Sequence, residues 1–171
     1  LYNSDQSRTL AQSNNPDNAD ETISLNLKAG IYYARVNAGS NVSSTYQLEA
    51  SAVSLGPVPV DNAGETIEDA RDLGSLNAAA ASVNDFLGNF NGLSQDPSDY
   101  YRFELTESST INFTLSELND TAAFTLYNSD RSRAIAQSKG SGSEDKTLTT
   151  DLQAGTYYIL VNGGGNGTTY Q

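Results

Sequence analysis

No cysteine, histidine, methionine or tryptophan occurs in the 171 residues. Without cysteine there is no disulfide framework, and redox compartment cannot be read from cysteine usage. Without histidine or cysteine, Ser-His-Asp and Cys-His nucleophilic centres are excluded within this chain. So are zinc sites that rest on imidazole and thiolate. Long apolar runs and signal-like segments are lacking too. Together with the missing initiator methionine, this marks the chain as an expected window of a longer protein. Cations are scarce: nine Lys and Arg face 21 Asp and Glu, for a formal charge of −12. Phosphate contacts need clustered Lys and Arg, so nucleic acid is not an expected partner. Anionic membrane surfaces are disfavoured for the same reason. The carboxylates that remain serve either a soluble, self-repelling surface or a divalent cation.

An internal repeat is present. LYNSDQSRTLAQS at Leu1 to Ser13 returns as LYNSDRSRAIAQS at Leu126 to Ser138, and LKAGIYYARVNAG at Leu27 to Gly39 returns as LQAGTYYILVNGG, both at an offset of 125. A fixed offset across separated blocks means repeated structural units. The expected organisation is residues 1–53 as the later half of a first repeat, a linker at 54–60 carrying Pro57 and Pro59, and residues 61–171 as a second, nearly complete repeat. After Tyr46-Gln47 the first copy continues through LEASA (Leu48 to Ala52), an expected last strand. The second copy reaches the equivalent Tyr170-Gln171, so an unpaired sheet edge is expected there.

Period-two alternation dominates both copies. Tyr101, Phe103 and Leu105 alternate with Tyr100, Arg102 and Glu104; Ile111, Phe113 and Leu115 share one face, as do Phe124 and Leu126. Arg35 stands where Leu160 does, so that parity faces outward. Tyr32, Ala34 and Val36, with Tyr157, Ile159 and Val161, are then the expected core. Gly30 and Gly155 are expected at positive φ before their Tyr-Tyr strands. Only ETIEDARDL (Glu65 to Leu73) reads as a short helix, with Ile67, Ala70 and Leu73 on its apolar side. Many short strands separated by polar turns predict an antiparallel, jelly-roll-like β-sandwich.

Four motifs in order carry a resemblance: N-x-x-E-T-I-x-x-A-x-D-L-G at Asn62 to Gly74, D-x-x-D-Y-Y-R-F at Asp96 to Phe103, L-Y-N-S-D at Leu126 to Asp130, and A-G-T-Y-Y-I-x-V at Ala154 to Val161. This pattern resembles the bacterial pre-peptidase C-terminal domain, a family similar in fold to the collagen-binding domains of secreted bacterial collagenases. The resemblance implies a non-catalytic accessory module, often in tandem, in a secreted or cell-surface protein.

The residues themselves single out Asp96-Pro-Ser-Asp99. Calcium takes six to eight hard oxygen ligands in a flexible shell, which turn carboxylates and carbonyls can supply. The same two residues would equally serve as a turn start beside Pro97 and a strand-entry cap. The resemblance implies Ca2+ held by Asp96, Asp99 and the Tyr100 carbonyl, with looser matches at Asn62 and Glu65. Asp17, Asp20 and Glu21 form a weaker acidic cluster that reads as a solvated hairpin loop. No nucleophile–base motif is present, so catalysis is not expected. Outward aromatics Tyr33, Tyr100 and Tyr158 are candidates for a ligand-binding face, the alternative being ordinary cross-strand packing. The expected role is a structural spacer or stabilising module, with neighbouring repeats and domains as partners. The alternative is a module tethering an appended enzyme, such as a peptidase, to extracellular protein or polysaccharide.

Overall fold

The computed structural model describes all residues except 17–18, 39–42, 58, 93, 139–141 and 164, and the Ser94 side chain. The chain forms two compact units, Leu1–Gly56 and Pro57–Gln171. Asp17 of the weaker acidic cluster lies outside the described residues. Among the described residues no helix forms, and none is long and apolar enough to cross a membrane.

The second unit is a β-sandwich. One layer is a five-stranded sheet in the order β1-β4-β9-β6-β7, made of β1 (Arg71–Ser75), β4 (Ser98–Leu105), β9 (Gly155–Gly163), β6 (Ala122–Asn128) and β7 (Ala134–Gln137). The other elements form a three-stranded sheet, β10 (Thr168–Tyr170), β2 (Asp85–Phe90) and β3 (Ser94–Asp96), and a pair, β5 (Ser109–Leu115) with β8 (Lys146–Leu152). Pairing is antiparallel except β1 with β4, which is parallel.

Alternation places the core as the pattern requires. Tyr101, Phe103, Leu105, Phe124, Leu126, Tyr157, Ile159 and Val161 are buried from the five-stranded sheet, against Leu87, Leu115, Leu152 and Tyr170 from the other strands. Phe103 is fully buried and stacks on Tyr157, with ring centroids 5.5 Å apart. Phe113 leans on Phe103 and Phe124 at 5.6 and 6.0 Å, joining the layers through aromatic contacts. Gly155 takes a φ of 153°, as expected, whereas Gly30 has no positive φ.

The expected helix at Glu65 to Leu73 does not form. The Asp69 and Ala70 N–H groups donate to the Thr66 and Ile67 carbonyls at 3.2 and 3.4 Å, which are tight turns and not a helical ladder. Two contacts explain the outcome. Thr66 Oγ1 donates to Asp69 Oδ2 at 2.9 Å, and the Asp69 carbonyl packs so close to Gly64 that any Cβ there would clash with it. The chain is folded back on its entry segment, then released into β1, whose backbone pairs with β4.

The first unit repeats local geometry of the second at the offset of 125. Tyr2 bridges Thr9 and Tyr33, while Tyr127 pairs with Ala134 and Tyr158. Gln6 and Arg131 both adopt left-handed φ, at 60° and 55°, in turns where Ser7 and Ser132 N–H groups donate to Asp5 and Asp130 at 2.9 Å. The expected strands do not extend beyond these bridges among the described residues. Val36 is 50% exposed, against the expectation of a core position, and Ala34 is exposed as well. LEASA lies outside any strand and is exposed, not the expected last strand.

Candidate metal centre

The β3–β4 turn is the origin of the site. β3 ends at Asp96, opposite Gly88 of β2, and after Pro97 the chain enters β4, where Asp99 lies opposite Val161 of β9. Asp96 and Asp99 are thereby drawn into the sandwich, at 2% and 0% exposure. The entry segment runs alongside, pinned where the Tyr100 N–H donates to the Gly64 carbonyl at 2.8 Å. It delivers Asp61. One carboxylate oxygen from each of Asp61, Asp96 and Asp99 lies within 4.8 Å of the others.

Burying carboxylates without partners is unfavourable, because desolvation penalises their charged form. Both oxygens of Asp96 and Oδ1 of Asp99 are buried with no hydrogen-bond partner. Desolvation, with repulsion from Asp61 second, pushes Asp96 up to about 6; the Ser98 amide nearby offsets a little of this without closing a hydrogen bond. Asp99 is pushed up to about 8, mainly by burial and then by the charges of Asp96, Asp85 and Asp61, with the Tyr170 hydroxyl acting in the opposite sense. Asp61 is raised too, by partial burial and the charges of Asp85 and Glu65.

A second layer of polar contacts surrounds Asp99 and Asp85. Tyr170 Oη donates to Asp99 Oδ2, and the Tyr170 and Tyr101 hydroxyls are 2.6 Å apart. Tyr101 also reaches Asp85 Oδ2 at 3.2 Å. Asp85 is itself satisfied: the Asn62 and Phe86 N–H groups donate to its Oδ1 at 3.0 and 3.1 Å, and Arg71 lies 3.8 Å from its Oδ2. Burial and neighbouring carboxylate charge hold both tyrosine hydroxyls protonated, well above their usual range. They are therefore donors toward the carboxylates.

The residues singled out from sequence distribute unevenly. Asp96 and Asp99 meet. Asn62 contributes its backbone N–H to Asp85, while its side chain turns to the Val60 carbonyl at 3.4 Å. Glu65 is exposed and acts on Asp61 and Asp96 through its charge. Tyr100 is buried to 9% exposure, unlike an outward platform: Arg131 covers its ring at 5.0 Å and donates to its hydroxyl at 3.0 Å. Tyr158 is half-buried opposite Arg102 and Tyr127. Tyr33, 45% exposed, belongs to the first unit and bridges Tyr2. Of the weaker acidic cluster, Glu21 is engaged by Ser13 and by the Asn15 N–H, as a loop residue.

Sequence reasoning missed Asp61, Asp85 and Tyr170. Asp61 was readable as the acid opening the second repeat. Asp85 and Tyr170 face each other across β2 and β10, a pairing that no local pattern announces.

Comparison with known proteins bears on the same segment. No curated protein sequence matches the chain. The pre-peptidase C-terminal domain of a collagenase from Bacillus anthracis superposes with a TM-score of 0.48 at 18% identity, covering 58% of this chain and 89% of that one. The model of the bacterial pre-peptidase C-terminal domain matches residues 97–163, which span β4 to β9 and include Asp99. The second unit thus carries, over those residues, the sequence pattern of the bacterial pre-peptidase C-terminal domain.

Proposed function

We propose that the chain is a non-catalytic accessory module of an extracellular protein, and that Ca2+ stabilises it at Asp61, Asp96 and Asp99. The observation that carries this reading is the set of buried, unpartnered carboxylate oxygens converging with Asp61. Three carboxylates at one point repel one another, and no Lys or Arg approaches Asp96 or Asp99 as an ion-pair partner among the described residues. A hard divalent cation is the ligand whose chemistry fits: it takes several oxygens, prefers carboxylates, and neutralises their charge. Softer transition metals would be expected to recruit imidazole or thiolate, which this chain lacks.

Asp61 sits on the exposed entry segment, whereas Asp96 and Asp99 belong to the sandwich. Holding all three would fasten that segment to the β3–β4 turn. The tyrosine pair orients Asp99 and keeps one of its oxygens occupied, leaving the other for the ligand. A module of this kind spaces and stiffens the protein that carries it. Extracellular calcium modules bind in the range of roughly 10⁻⁴ to 10⁻³ M, the affinity class expected here.

Calcium titration of the full chain by calorimetry, beside Asp99→Asn and Asp61→Asn, tests the reading. Saturable heat in the parent, loss in Asp99→Asn and weakening in Asp61→Asn are expected. A folded parent that gives no heat at millimolar calcium would return Asp96 and Asp99 to turn and strand-entry roles.

A further inference from the structure

The dipeptide Asn-Gly occurs at Asn91-Gly92, Asn162-Gly163 and Asn166-Gly167. In such a pair the glycine nitrogen can attack the side-chain carbonyl carbon of the asparagine, because glycine puts no Cβ in the way and lets the backbone turn freely. A C–N bond forms, the side-chain amide leaves as ammonia, and a five-membered succinimide closes. Water then opens the ring at either carbonyl, giving aspartate or an isoaspartate whose main chain is one methylene longer. Two conditions govern the attack. The glycine nitrogen must lose its proton, and the backbone of the pair must be free to rotate.

The fold grants these conditions unequally. Asn162 is locked in β9, opposite Ser98 on one side and Ala123 on the other, and Gly163 lies opposite Ala122. Ring closure there would break the middle of the five-stranded sheet. Asn91 follows β2 with a left-handed φ of 53°, and the Gly92 N–H donates to Asn89 Oδ1 at 2.5 Å. An acceptor on the protonated nitrogen favours that form and holds it in place. Asn166 is exposed and lies outside any strand, and among the described residues no side chain takes up the Gly167 N–H. Its own N–H, which is not part of the ring, reaches Asp120 Oδ2 at 3.4 Å. Asn166 also borders an open polar hollow of about 250 Å³ with Asn89, Asn91 and Gly92, which gives the side chain room and water access.

We propose that Asn166 is a site of spontaneous modification, deamidating through the succinimide while Asn91 and Asn162 are protected, and that its isoaspartyl product loosens β10. Gly167 takes a φ of 85° and sits so close to Asn89 that a Cβ would lie 2.7 Å from its carbonyl oxygen. One residue on, Thr168 is 1% exposed, and its Oγ1 accepts from the Asn119 and Asp120 N–H groups at 2.8 and 3.2 Å. β10 is therefore anchored immediately after the reacting pair. An added methylene must displace Gly167 from Asn89 or Thr168 from its two donors. The disturbance falls on the strand that carries Tyr170 to Asp99. The new carboxylate also stands near Asp120, which adds repulsion at the same turn.

Ageing the full chain at mildly alkaline pH, folded and in urea, tests this, with fragmentation mass spectrometry of digests to tell aspartate from isoaspartate. In urea the three pairs should convert at similar rates. In the folded chain Asn166 should convert within about threefold of its rate in urea, and Asn91 and Asn162 at least about tenfold more slowly than theirs. Asn89→Ala, which frees the Gly92 N–H, should speed conversion of Asn91 in the folded chain at least about threefold. The isoaspartyl form should melt below Asn166→Asp, which adds the same charge on a backbone of normal length. An Asn166 as protected as the other two, an Asn91 or Asn162 that keeps pace with it, an Asn89→Ala chain with Asn91 unchanged, or an isoaspartyl form that melts with Asn166→Asp would each overturn the proposal.

Discussion

Replacing Asp99 with asparagine should stabilise the calcium-free protein at neutral pH and abolish its response to calcium. In the unfolded chain Asp99 titrates at its ordinary value of 3.8, whereas in the sandwich it is raised to about 8. A carboxyl whose folded pKa is raised leaves stability intact below the unfolded value and removes it as pH climbs toward the folded one. Each unit corresponds to about 1.4 kcal/mol, so between pH 4 and pH 7 the calcium-free fold loses on the order of 4 kcal/mol at this residue. Asp96, raised to about 6, adds a loss in the lower part of the same window. The substituted amide carries no charge to desolvate, and its carbonyl can still accept from Tyr170. Thermal melts in chelator from pH 4 to pH 9 read the difference directly. The parent midpoint should fall across pH 4 to 8 and level off above it. Asp99→Asn should lose much less and melt higher at pH 7, by several degrees at ~4 °C per kcal/mol. Calcium at a hundred times its dissociation constant should restore about 2.7 kcal/mol to the parent alone. A parent midpoint that rises across pH 4 to 8 in chelator, or an Asp99→Asn chain less stable than the parent at pH 7, would refute the reasoning.

Calcium affinity should rise with pH up to about 8, since Asp99 must release its proton; calorimetry in buffers of different ionisation enthalpy should show proton release near pH 7. Tyr170→Phe removes the donor to Asp99 Oδ2, and denaturant melts should show a loss of about 1–3 kcal/mol with weaker calcium binding. Gly64→Ala drives a Cβ into the Asp69 carbonyl, so the entry turn must open; a lower melting midpoint and weakened calcium binding through Asp61 are expected. Leu126→Ala, at a fully buried position far from any carboxylate role, should cost about 2–5 kcal/mol while leaving calcium affinity unchanged in the folded fraction.

Strand faces were legible because alternation is a local property. Arg35 opposite Leu160 in the alignment of the two copies was enough to settle which of Tyr157 and Tyr158 turns inward. The helix reading of Glu65 to Leu73 failed because its apolar spacing was real but its fate was tertiary: Gly64 is pressed against Asp69, and Arg71 to Ser75 pairs in parallel with β4. The site was half legible. Asp96 and Asp99 stand out as a pair around Pro97, but Asp61 is 35 residues before Asp96 and is brought to it by the Gly64–Tyr100 bridge and the Asn62–Asp85 hydrogen bond. Tyr100 misled by parity. Its outward face is real, yet Arg131, in a left-handed turn, reaches over the ring and removes it from solvent.

The two copies also separate what a strand sequence specifies from what a sandwich supplies. Val36 and Val161 are the same residue in the same motif, at 50% and 3% exposure. Tyr46 and Tyr170 precede the same glutamine, at 70% and 3%. The Asn-Ser-Asp turn, by contrast, forms alike in both units, down to the 2.9 Å Asp–Ser hydrogen bond and the left-handed residue. Turn chemistry is therefore encoded within a few residues, while burial waits on an opposite layer. Tyr170 can donate to Asp99 because β2 and the five-stranded sheet enclose it. The candidate site is on this argument a property of the sandwich: the carboxylate oxygens of a turn are left without partners only once the layers close around them.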